Sequence, residues 1–216
     1  SIQYSIENPT ESYKNNVVGT LNVLEVARVL GIKKVVFSST AAIYGSTSEP
    51  CVETDRPDPL NPYSVSKLAG ENLMKMYNDL YGIETVSLRY FNVYGPRQAY
   101  KGQYAPVIGI FQKQKFEGKP LTIIGDGNQT RDFIHVADVA HANMMVAEKN
   151  IVGVFNVGSS IEHSVNQIAD LTNSPHGKTT MPSREGEARR SISDNTKLKS
   201  IGWQPRILLE AWIAKQ

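Results

Sequence analysis

The sequence predicts an α/β fold containing part of a doubly wound parallel sheet. Three observations carry this. Residues 33–39 form an apolar, β-branched run of the kind buried on both faces of a parallel sheet. A long helical pattern follows at 62–81, and a second strand pattern at 84–90, so strand, helix and strand alternate. The first strand runs into Ser38, Ser39 and Thr40, small hydroxyl residues at the carboxyl edge of a sheet, where open α/β sheets take their ligands.

The elements follow in order. Residues 1–10 are mostly polar and hold Asn8-Pro9, read as a turn-like entry. Val17, Leu21, Leu24 and Ala27 recur at helical spacing within 11–30, and Gly31 is placed to cap that helix. Residues 46–61 are a loop rich in Pro, Ser and acids, after which Pro62 opens the helix that ends near Tyr81-Gly82. Beyond residue 100 the texture changes: a helix at 104–117, a short strand at 121–124 closed by Gly125-Asp126-Gly127, a strand at 132–136, a helix at 137–148, a strand at 154–157 and a short helix at 164–171. Asp194 is placed to N-cap a following helix. The division expected is 1–100 for the sheet-bearing part and 101–216 mainly for a second lobe, with the strand near 154–157 returning to the sheet.

A chain of 216 residues with 40% hydrophobic content can bury a substantial core. Its net charge of +2 is nearly balanced, and Lys and Arg are scattered, so neither nucleic acid nor a membrane surface is an expected partner. The one cysteine, Cys51, lies in a polar loop and can form neither an internal disulfide nor a metal site, which fits a reducing cytoplasm. No apolar run approaches about 18 residues and no signal pattern opens the chain, so a soluble cytoplasmic protein is expected. No metal is expected.

Tyr63 and Lys67 stand four residues apart, about one helical turn, and so share a helix face. An ammonium beside a phenol stabilises the phenolate and brings down a pKa otherwise near 10, which makes Tyr63 a candidate general acid/base with Lys67 as its tuner.

The strings FSSTAAIYG, NPYSVSK, LRYFNVYGPRQ and GDGNQTRDFIHVADVA occur in that order and spacing. Together they resemble the extended short-chain dehydrogenase/reductase family, and within it the nucleotide-sugar 4-epimerases of the UDP-glucose 4-epimerase type. The resemblance runs nearly the whole length of the chain. It implies a Rossmann-like NAD-binding part, a smaller lobe holding a UDP-sugar, and a reaction in which NAD takes hydride from the sugar C4 and returns it to the opposite face of a 4-keto intermediate. Tyr63 is then the base for the 4-hydroxyl, Thr40 hydrogen-bonds that hydroxyl and relays its proton, and Lys67 also donates to the nicotinamide ribose. Asn15, Ser38, Tyr90 and Phe91 match positions near the cofactor. Asn92, Arg131, Arg184 and Glu187 match positions on the nucleotide sugar, the two arginines suiting a diphosphate. Thr122 and Ile124 line the uracil by backbone contacts. Ser191 stands at a gate beside the sugar 2-position, where a small residue admits an N-acetyl group. The resemblance further implies a homodimer through a four-helix bundle, to which the helices at 11–30 and 62–81 are suited.

One part of the pattern is missing. No G-x-G-x-x-G or G-x-x-G-x-x-G occurs, although a dinucleotide site needs a glycine-rich turn after its first strand. Relative to the family, two to three strand-helix units of roughly 30 residues each are absent. Three readings are open: a piece of a longer protein, a truncated relative that binds nucleotide sugar without redox chemistry, or a lobe supplied by another chain. The first is favoured, because the residues serving the nicotinamide end are present. Among reactions, 4-epimerisation is favoured over 4,6-dehydration because Ala41 and Ala42, not carboxylates, follow Thr40.

Overall fold

The computed structural model describes residues 1–102, 105–183 and 188–216. The N-terminal decapeptide is helical where a turn was expected. Helix α1 (Ile2–Glu7) is capped by Ser1, whose Oγ accepts from the Tyr4 amide at 3.3 Å, and α2 (Pro9–Tyr13) starts with proline in its first turn. A π-helical turn at Lys14–Val18 continues into α3 (Gly19–Val29). Gly31 lies just past the end with φ +67°. Its amide donates to Arg28 O at 3.3 Å, and the Ile32 amide reaches back to Ala27 O at 2.9 Å, so the last carbonyls are satisfied by a left-handed residue that glycine adopts freely.

Strand β1 (Lys34–Thr40) leads into a 3₁₀ turn at Ala41–Tyr44, and after the loop comes α4 (Pro62–Tyr81), then β2 (Glu84–Tyr90) and β3 (Asn92–Tyr94). The remaining elements are α5 (Val107–Phe116), β4 (Leu121–Ile124), β5 (Thr130–His135), α6 (Val136–Glu148), β6 (Gly153–Val157), β7 (Glu162–Ser164), α7 (Val165–Thr172), β8 (Lys178–Met181), β9 (Arg190–Ser191), α8 (Thr196–Lys199) and α9 (Leu209–Ile213). The helix expected over 104–117 begins in the described residues at Val107, behind Pro106.

The alternation of apolar strands and amphipathic helices yields a parallel sheet in the order β1-β2-β6, with Thr40 opposite Tyr90 and Tyr90 opposite Val157 at its carboxyl edge. A second sheet pairs β3 and β9 parallel, and β7 antiparallel, to β5, while β4 and β8 make a separate parallel pair. Val86, Leu88, Phe155 and Val157 of the first sheet pack on Val139, Ala142 and Val146 of α6. Tyr94, Phe111, Leu121, Phe133 and Ile168 form the core of the other half. Leu24 and Ala27 of α3 meet Met74 and Tyr77 of α4, while Val17 is half-buried and Leu21 exposed.

Cys51, in its loop, is fully buried: its backbone pairs with Ser193, and its side chain packs with Ala41, Tyr44 and Phe91. One expectation is corrected here. Asp194 precedes the cap position of α8, which Asn195 occupies, although its Oδ1 accepts from the Thr196 amide at 2.8 Å. No helix among the described residues is long and apolar enough to cross a membrane.

Candidate functional site

A cavity of about 700 Å³ opens at the carboxyl end of β1 and β2, between the first sheet and the segments around β4, β5 and β9. Thr40, the last residue of β1, turns its side chain into the 3₁₀ turn, where Oγ1 accepts from the Ala42 amide at 3.1 Å. Tyr63 is set by a reciprocal cap. Asn61 Oδ1 accepts from the Ser64 amide at 2.9 Å, and Ser64 Oγ accepts from the Asn61 amide at 3.2 Å. The Tyr63 amide, left over in the first helical turn, donates to the buried Ser5 Oγ at 3.1 Å, so α1 helps fix the start of α4.

The Tyr63 phenol and the Thr40 side chain both line the cavity, close enough for Thr40 to act on the phenol's ionisation. Burial pushes the phenol above its ordinary pKa and outweighs the downward pull of Thr40. Lys67, expected to tune that phenol, lies against an aromatic ring. Its Nζ stands 4.2 Å over the Phe37 ring, burial drives its pKa down, and Glu71 one turn further along opposes that fall. A residue one turn along a helix shares a face with its neighbour, but here the ring of Phe37 takes up the ammonium.

Beneath this face lies a buried ion pair. Arg89 donates to Glu71 through Nε at 3.0 Å and a terminal nitrogen at 2.7 Å, with both side chains 5% exposed, and Ser39 Oγ donates to the same carboxylate at 2.5 Å. Charge-assisted bonds to Glu71 therefore join α4, β1 and β2 directly below Thr40.

Of the other residues expected from the sequence, Tyr90, Phe91, Asn92, Thr122, Ile124, Arg131 and Ser191 line the same cavity. The Tyr90 hydroxyl donates to Asn143 at 2.9 Å and is paired with Ser38 Oγ at 3.1 Å. Arg131 donates to Thr130 O at 2.9 Å and Arg189 O at 3.4 Å. Thr122 and Ile124 have less backbone to offer than expected, since Gln114 Oε1 accepts from the Thr122 amide at 3.0 Å and Gln129 Nε2 donates to Ile124 O at 2.7 Å. Asn15 is exposed on the π-helical turn, Ser38 is exposed on β1, and both lie outside the cavity together with Lys67. Arg184 and Glu187 lie outside the described residues.

Gln114 and Gln129 are lining residues that sequence reasoning missed; the glutamine inside GDGNQTRDF was the available signal for the second. Among the described residues, the cavity wall carries one charged side chain, Arg131, and no carboxylate. Such a wall favours an anionic ligand through charge-assisted donors, and it offers a hydroxyl pair for proton transfer.

Comparison with known proteins agrees with this geometry. The model of the NAD dependent epimerase/dehydratase family matches residues 1–158. A UDP-glucose 4-epimerase of Mycolicibacterium smegmatis is 37% identical over 223 residues, covering 100% of this chain and 71% of the relative. The crystal structure of a Thermotoga maritima UDP-glucose 4-epimerase with UDP-glucose superposes with a TM-score of 0.94 at 38% identity, over 99% of this chain and 71% of that one. A Thermus thermophilus UDP-glucose 4-epimerase in complex with NAD gives 0.90 at 36% identity, over 99% and 72%. With the family pattern carried through both sheets and the cavity between them, this chain belongs to the NAD dependent epimerase/dehydratase family.

Proposed function

We propose that the chain forms the substrate-binding and proton-transfer part of an NAD-dependent UDP-hexose 4-epimerase, with residues 1–100 completing a dinucleotide-binding domain and 101–216 mainly serving the nucleotide sugar. The observation that carries this reading is the Tyr63–Thr40 hydroxyl pair on the wall of a cavity whose one charged group among the described residues is Arg131.

The residues present suit the nicotinamide end of the cofactor: Ser38 stands near the carboxyl end of β1 with its Oγ paired to the Tyr90 hydroxyl, and Tyr90 ends the adjacent strand at the cavity. No glycine-rich turn for the pyrophosphate occurs in the chain. Ser38, Tyr90, Phe91, Asn15 and Lys67 are assigned to the cofactor. When bound, NAD supplies a hydride acceptor and donor for C4. Tyr63 moves the proton of the 4-hydroxyl, and Thr40 hydrogen-bonds that hydroxyl and holds it toward the phenol. Arg131 and Asn92 orient the diphosphate-linked sugar, with Arg184 and Glu187 assigned to the same ligand. Among the described residues, the wall around Ala41 and Ala42 gives a 4-keto sugar no carboxylate for elimination, which favours epimerisation over 4,6-dehydration. Ser191, buried and on the wall, is assigned as the gate that admits an N-acetyl group at the sugar 2-position.

We place the protein in the cytoplasm as a homodimer. Val23, Val26, Val29 and Leu30 of the α3 region and Leu80 and Tyr81 of α4 leave an apolar face exposed, which supports a partner of the same kind. Separate calorimetric titrations of the chain with UDP and with NAD test the reading. UDP binding that is lost in Arg131→Ala supports the nucleotide-sugar site, NAD binding supports a working cofactor site in this chain, and absence of UDP binding contradicts the proposal.

A further inference from the structure

Asp132 is 0% exposed, yet five donors converge on its carboxylate, none of them charged. Oδ1 accepts from the Ser159 amide at 2.7 Å and the Ser159 hydroxyl at 2.6 Å. Oδ2 accepts from the Ser160 amide at 3.0 Å, the Ser193 amide at 3.0 Å and the Ser193 hydroxyl at 2.5 Å. A buried carboxylate that accepts this many hydrogen bonds fixes each donor segment in place.

The segments it fixes are those that build the cavity wall. Asp132 stands beside Arg131 on β5, and its own carbonyl accepts from Asn92 Nδ2 at 3.1 Å. Ser193 lies two residues beyond Ser191, whose strand β9 pairs with β5 so that Arg131 faces Ser191. Arg189, just before that strand, brings its carbonyl to the Arg131 guanidinium at 3.4 Å. Asn92, Arg131 and Ser191 come from three distant stretches of sequence, and Asp132 joins all three.

We propose that Asp132 is a positioning residue for ligand binding: its carboxylate locks β5, β9 and the 159–160 turn so that Arg131 and Asn92 face a ligand diphosphate. This rests on the nucleotide-sugar reading above. In Asp132→Asn, either orientation of the amide turns an oxygen that serves at least two donors into a donor itself, so the lock fails while the side-chain volume is kept.

The test is calorimetric titration of the full 216-residue chain with UDP and with uridine. In the wild type, UDP binds more tightly than uridine through Arg131. Asp132→Asn reduces that advantage by about tenfold or more, and Ser193→Ala, which keeps the carboxylate, reduces it in the same direction by less. In an Arg131→Ala background, Asp132→Asn changes the UDP-to-uridine ratio by less than it does in the wild type, because part of its effect passes through Arg131, and an undiminished change there would overturn the route through Arg131. A role in stability alone would weaken both ligands equally. If the folded Asp132→Asn or Ser193→Ala chain keeps the wild-type ratio, the positioning role is overturned while the nucleotide-sugar reading stands. If the wild type binds no UDP, both fall.

Discussion

The Phe37 ring occupies the space that a side chain at Gly70 would need: a Cβ there would come within 2.5 Å of Phe37 Cζ. Helix α4 thereby lies close on β1, and the same ring carries the Lys67 ammonium. Gly70→Ala must push ring or helix aside. It is expected to cost about 1–3 kcal/mol by overpacking, read as a fall in melting temperature, and to weaken turnover by shifting Tyr63 away from Thr40. A variant as stable and active as the wild type would show that the close seating of α4 is unimportant.

Tyr63 should titrate above the ordinary tyrosine pKa of about 10 in the ligand-free chain, because burial opposes ionisation more than Thr40 favours it. Folding raises this pKa, so its contribution to stability is complete below the unfolded value and is lost as pH rises through the folded one. Absorbance titration of wild type against Tyr63→Phe isolates the group. Thr40→Val removes the one downward influence and should move the titration higher still; a downward move would contradict the assignment.

Breaking the Arg89–Glu71 pair should be severe. Glu71→Ala leaves a guanidinium buried without its carboxylate, at a cost of about 3–5 kcal/mol, together with loss of the Ser39 hydrogen bond. Urea unfolding of the variant and the wild type measures this. A loss below about 1 kcal/mol, the range of exposed pairs, would mean that water reaches the site.

The proposed sugar gate makes a selective prediction. Ser191→Tyr should depress turnover of UDP-N-acetylhexosamines while leaving UDP-hexoses largely unaffected, and equal loss on both would remove Ser191 from the gate.

The proposed dimer is checked by sedimentation. Val26→Asp places a charge on the exposed α3 face, where Val26 is 57% accessible, and should yield a folded monomer. An unchanged sedimentation coefficient would point the partner surface elsewhere.

The legible parts of this molecule were those whose physics is local. Strands β1 and β2 and helix α4 carry strong apolar periodicity with proline and glycine at the ends, and the structure places them within a residue of expectation. Helix α1 was hidden because six residues in a polar context give little periodicity, and its stabilising contact, Ser5 to the Tyr63 amide, lies 58 residues away. Strand β8 was hidden because all four residues are exposed and no alternation marks them. At the site, the residue types could be read from motifs. What Lys67 touches could not, since Phe37 reaches it only through the packing of α4 on β1, and the Asp132 network joins serines 27 and 61 residues distant.

The central claim is that the Tyr63–Thr40 pair moves the 4-hydroxyl proton of a UDP-hexose during inversion at C4. Supplying the protein with NAD and UDP-galactose and identifying the product by NMR tests it most directly. The account predicts UDP-glucose, with the rate falling about 100-fold or more in Tyr63→Phe; a 4-keto-6-deoxy sugar, or an undiminished rate in that variant, would contradict it.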